Sequence, residues 1–113
     1  MRKIFMCIEM EKLRKKLDEM NIPWEDESTI CPDEHIALQI RFGVEPNYAD
    51  TTVFRTHFSY KNTFYSVVNG YSTYGGYDPD TGENKGLLEV MFGKQEDIAG
   101  WLTAEQVMDL IGV

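Results

Sequence analysis

The chain has 113 residues, 42% of them hydrophobic and 12% aromatic, which suffices for one domain with its own core and argues against disorder as a description of the whole. A formal charge of −8 and a pI near 4.6 argue against a direct nucleic-acid binder, because neutralising phosphates takes clustered Lys and Arg. An acidic surface favours solubility and suits a basic partner.

Cys7 and Cys31 are the two cysteines. Arg2 and Lys3 lead into an apolar run too short for a secretory leader, and no segment approaches the roughly 20 apolar residues of a membrane span. The expectation is a cytoplasmic protein with free thiols, one disulfide remaining open.

Met6, Met10, Leu13, Leu17 and Met20 recur at four, three, four and three residues, one stripe of an N-terminal helix. Charges fill its other faces, with Glu11, Lys15 and Glu19 spaced for exposed pairs. Asn21 and Pro23 end it. Ile4, Phe5, Cys7 and Ile8 also suit a short strand, and the stripe reads as core-facing rather than a dimer seam. From Trp24 to Asp33 the chain reads as an acidic connector with one short edge strand.

Ile36, Leu38, Ile40 and Phe42 alternate with His35, Ala37, Gln39 and Arg41, which predicts a half-buried strand. Strands over Thr51–Tyr60 and Thr63–Asn69 follow, joined by a tight turn at Lys61-Asn62. That loop sets Phe58 opposite Tyr65 and Thr56 opposite Val67 on one face. Arg55, His57, Ser59, Phe64, Ser66 and Val68 then share the other. A long connection holds Tyr71, Tyr74 and Tyr77 with Gly70, Gly75 and Gly76, and the apolar run Gly86–Gly93 predicts a fourth strand. Thr103-Ala-Glu-Gln106 is a capping box with Leu102 and Val107 placed as its staple, so a C-terminal helix starts at Ala104 and stops at Gly112. Trp101 reads as a core or sheet-edge anchor. The fold expected is a single α+β domain: helix, an antiparallel meander of about four strands, helix, with both helices on one sheet face.

Chemical signatures are sparse. Asp78, Asp80 and Glu89 match the first, third and twelfth positions of a calcium loop, but Gly82 and Glu83 stand where a ligand and the required glycine belong. Cys31 and His35, with Cys7 and His57, follow no known zinc spacing. His57 near Ser59 or Ser66 is the one base beside a candidate nucleophile, without a nucleophile-elbow motif. The expected binding residues are therefore Arg41, Arg55, His57, Tyr71, Tyr74 and Tyr77, which suit either a protein partner or a small anionic ligand. No cofactor and no metal are expected.

Several strings carry a resemblance: Leu13-Arg-Lys-Lys-Leu17 leading to Trp24-Glu-Asp26, Arg55-Thr-His-Phe58, Tyr65-Ser-Val-Val-Asn-Gly-Tyr71 with Tyr74-Gly-Gly76, Gly86-Leu-Leu-Glu89, and Gly100-Trp-Leu-Thr-Ala-Glu-Gln-Val107. Over most of Lys12 to Ile111 the chain resembles small uncharacterised proteins of phages, prophages and mobile elements of Gram-positive bacteria, which makes Met1 to Glu9 a possible extension. The resemblance implies a non-enzymatic protein, monomer or homodimer, that binds a host protein inside the bacterial cell, including inhibition of a defence system. A nucleotide-like ligand and a small enzyme centred on His57 are the alternatives.

Overall fold

Helix α1 spans Ile8–Glu19, and its stripe is what the core receives: Met10, Leu13 and Leu17 are fully buried. Glu9 and Glu11 in the first turn and Lys16 in the last complement the helix dipole. Asn21 takes the left-handed conformation (φ 57°) before Pro23, as its position predicts. The computed structural model describes residues 6–29, 37–38, 40–43, 52–70, 73–78 and 83–113.

Among the described residues seven strands follow: β1 (Trp24–Asp26), β2 (Val53–Tyr60), β3 (Thr63–Gly70), β4 (Tyr77–Asp78), β5 (Glu83–Asn84), β6 (Leu88–Phe92) and β7 (Asp97–Leu102), then helix α2 (Ala104–Ile111). Five form one antiparallel sheet in the order β1-β2-β3-β6-β7, while β4 and β5 pair only with each other. Lys61 and Asn62 both adopt positive φ (49° and 66°), the two-residue turn whose twist matches the flanking strands. Phe58 consequently pairs with Tyr65 and Thr56 with Val67. At α2 the Thr103 hydroxyl accepts from Gln106 N (3.2 Å), Gln106 Oε1 accepts from Thr103 N (2.8 Å), and Gly112 closes the helix at φ 86°.

The fold is α+β with five strands in the main sheet rather than about four, and two local readings change. Ala37, Leu38, Ile40 and Arg41 are helical, not extended, with Phe42 N donating to Leu38 O at 3.1 Å. Over so short a stretch apolar residues two apart are also four apart, so Leu38 and Phe42 satisfy a helical turn equally. Strand β7 is the addition, reached through the Gly93–Glu96 turn.

Phe58, Tyr65, Val67, Leu88 and Val90 point to one face of the sheet and form a single core with α1 and with Val107, Met108 and Ile111 of α2. Both helices therefore lie on that face. Arg14, expected on a solvated side of α1, is instead buried. Its Nε donates to Thr56 Oγ1 (2.8 Å), and a terminal nitrogen donates to Asp26 Oδ1 (3.1 Å) and Arg55 O (3.2 Å). Its guanidinium also sits 4.7 Å from the centre of the Trp24 ring. Hydrogen bonds from Ser28, and then the Arg14 charge, hold the Asp26 carboxyl below its ordinary range. The Glu11–Lys15 and Lys15–Glu19 pairs do not close among the described residues; Lys12 pairs with Glu9 at 3.5 Å.

Of the stretch read as an extension, Met6 and Cys7 pack on the core, and Glu9 Oε1 accepts the Ala104 N–H at 2.8 Å, capping α2 from α1. Glu9→Ala is expected to cost about 1 kcal/mol, read as a lowered midpoint in urea unfolding. Cys7 is a free thiol that burial pushes above its ordinary pKa; Cys31 lies outside the described residues.

Candidate functional site

Strand register decides what the sheet face opposite α1 and α2 presents. Side chains alternate along each strand, so Glu25, His57, Ser66, Met91 and Ile98 form one row across β1, β2, β3, β6 and β7. Arg55, Val68 and Glu89 form a parallel row, and Ser59 lies opposite Phe64. Phe64 and Ile98 are 53% and 52% exposed, and Met91 is exposed between them. An apolar strip thus crosses the sheet opposite the helices.

His57 Nε2 lies 3.0 Å from Ser66 Oγ, and its ring meets Phe64 edge-on with centroids 5.0 Å apart. Beside them opens a cleft of about 480 Å3 between the ends of β1 and β2, walled by Pro23, Trp24, Glu25, His57, Ser59 and Phe64. A smaller hollow of about 140 Å3 shares Phe64 and continues over Ser66 and Met91 to Glu96. The strip is therefore rimmed by a carboxylate at each end.

The second feature is the turn at Thr73–Gly76. Thr73 Oγ1 bonds both backbone groups of Gly70 (3.1 and 3.0 Å), Tyr74 N donates to Glu89 Oε1 (2.9 Å), and Trp101 N donates to Tyr74 O (3.2 Å). Leu87 N donates to Gly75 O at 3.0 Å. The turn lies across β6 and β7 because Gly100 has no side chain: a Cβ there would strike the Tyr74 Cβ. Opposite Glu89, β7 carries an extra residue, a bulge between the Leu88–Leu102 and Val90–Ala99 pairs, and Trp101 within it has φ 61°. For a bulky side chain that conformation is strained. Its outcome is an outward aromatic pair: Tyr74 and Trp101 are 57% and 55% exposed, with ring centroids 6.4 Å apart.

Of the six residues proposed from sequence, three come to this face. Arg55 and His57 project from β2 two residues apart, both half-buried, and Tyr74 lies over β7. The Arg55 guanidinium makes no ion pair among the described residues. Arg41 is exposed and helical, like Ala37, Leu38 and Ile40, and so is not on a strand that presents it on the sheet. Tyr71 lies outside the described residues, and Tyr77 belongs to β4, its backbone opposite Asn84. Sequence reasoning placed Glu25 on the surface without bringing it to this face, and missed Met91 and Ile98 as surface elements. It also read Trp101 as an anchor; Trp101 stands on the edge strand but projects into solvent.

The His57–Ser66 contact joins a base to a hydroxyl, yet Ser66 sits in β3, paired on both sides by β2 and β6. Ladder pairing there engages the strand amides that would otherwise serve an oxyanion. No hydrogen bond joins Glu25 to His57 among the described residues, so Glu25 does not serve there as the third, orienting group of a nucleophile–base pair. Among the described residues no three His, Cys, Asp or Glu side chains converge for a metal. Of the calcium-loop residues, Asp80 lies outside the described residues and Glu89 serves Tyr74 N; Cys31 and His35 also lie outside. No helix among the described residues is long and apolar enough to cross a membrane. No protein-family model matches the chain, and no curated protein or solved structure matches it.

Proposed function

We propose that the chain is a non-enzymatic binding module that captures a host protein on the sheet face opposite α1 and α2, acting as an inhibitor of that protein. The observation that carries this reading is the apolar strip of Phe64, Met91 and Ile98, exposed on the face opposite the core and bordered by Glu25 and Glu96. Exposed apolar surface with a polar rim is the usual anatomy of a protein-binding patch. A carboxylate rim on a chain of net charge −8 selects a basic partner and makes association salt-sensitive. The Tyr74–Trp101 pair extends the patch with the residue types enriched at binding hot spots. The likeness to phage and mobile-element proteins supports a host protein as the partner.

Immobilised protein is expected to retain a bacterial host protein at low salt and to release it as salt rises. The doubly substituted Met91→Ser/Ile98→Ser protein, with unchanged unfolding behaviour, is expected to lose at least about tenfold in affinity, since central apolar contacts often exceed 1.4 kcal/mol. Retention insensitive to both substitutions and salt sinks this reading. The half-buried Arg55 beside His57, with no ion pair among the described residues, supports a second one, in which a small anion is held there. A panel of nucleotides in a thermal-shift assay separates the two: only an anion site raises the melting temperature.

A further inference from the structure

The cleft beside His57 has a chemistry narrower than the strip it adjoins. We infer that it is a receptor for an arginine side chain carried by the protein partner, an inference that rests on the reading above. Glu25 is the carboxylate on its wall, and it makes no hydrogen bond or ion pair among the described residues. The neighbouring carboxylates are engaged: Asp18 accepts the Trp24 indole N–H at 2.8 Å, and Asp26 accepts from Arg14 and Ser28. Glu25 alone of these three is free for an incoming cation.

The rest of the wall distinguishes among cations. Phe64 offers an exposed ring held by the edge of His57, Pro23 an apolar flank, and Ser59 an exposed hydroxyl that can accept a further N–H. A guanidinium is planar and weakly hydrated, so it can stack on the Phe64 ring while its forked donors meet both oxygens of Glu25. An ammonium matches the charge but is more strongly hydrated and has no flat face to stack. A phosphate meets the Glu25 charge and is repelled. Because Phe64 also walls the hollow leading to Met91, an arginine seated here belongs to a segment that continues along the apolar strip. The arginine supplies register and the strip supplies area.

Titrating isotopically labelled protein with N-acetyl-L-arginine methylamide, followed by amide chemical shifts, tests this without knowledge of the partner. Shifts are expected at Glu25, His57, Ser59 and Phe64, with binding at least about threefold tighter than that of the matching lysine amide. Glu25→Gln is expected to weaken arginine binding about tenfold, whereas Met91→Ser/Ile98→Ser leaves it within about twofold. Equal response to lysine, shifts elsewhere only, or an unaffected Glu25→Gln protein overturns the inference. Should arginine fail here while salt-sensitive capture of a host protein still depends on Met91 and Ile98, the cleft assignment falls and the binding-module reading stands.

Discussion

Arg14→Ala is expected to lower unfolding free energy by about 2–4 kcal/mol, among the larger losses available to one substitution in this chain. The side chain is only 11% exposed and fills the space between α1, β1 and the start of the β2 ladder. Its partners lose unequally. Asp26 is exposed and regains water at little cost, so the ion pair contributes a small part. Thr56 is fully buried, but its hydroxyl still donates to Met10 Sδ (3.2 Å) when Arg14 is gone. The larger part is the emptied volume under Trp24 and the lost packing of the aliphatic stem. Arg14→Met, which keeps most of that volume, is therefore expected to lose less than half as much in denaturant unfolding. Equal losses would assign the tether to its hydrogen bonds instead.

Gly100→Val is expected to cost about 1–3 kcal/mol and to undo the aromatic pair while sparing the core. The new side chain would occupy the position of Tyr74 Cβ and crowd Tyr74 O at 3.2 Å. The turn must lift, releasing the bonds from Tyr74 N to Glu89 and from Trp101 N to Tyr74 O. Once Trp101 N has lost that partner, nothing in the turn opposes relaxation of its strained backbone. The measurable outcome is altered Trp101 fluorescence quenching together with exchange of the Tyr74 and Trp101 amides, at little change in exchange along β2 and β3. Slow, native-like exchange at both amides would show that the turn is held by other contacts.

How much of this was legible in the sequence follows from the range of the forces involved. The capping box, the Asn21 stop and the Lys61-Asn62 turn are local, and each was readable because a few neighbouring residues decide it. Register then follows from the turn alone, which is why the Arg55–His57 face could be assigned in advance. Residues 37–41 were misread because alternation over so short a span fits two periods at once. Strand β7 was missed for a different reason: its entry turn uses Glu96 at φ 52°, and its bulge uses Trp101 at φ 61°, residue types that do not announce left-handed backbone. Glu25 reached the cleft only through pairing with a strand some thirty residues away, and three residues of β1 carry no pattern of their own. Arg14 looked like one more helix charge; only the fold made it an interior residue.

The bond from Glu9 to Ala104 has a consequence for the order in which the molecule is made. It joins positions 95 residues apart, and the core it spans draws side chains from both helices. On the ribosome, the β2–β3 hairpin can form as soon as it emerges, since its contacts are local. Helix α1, translated first, gains its contacts with Thr56 and the sheet once the strands emerge, but Met10, Leu13 and Leu17 share their core with Val107, Met108 and Ile111 and are fully covered only when α2 is in place. Completion is a single late event, and the nascent chain is most vulnerable to proteolysis and aggregation just before it.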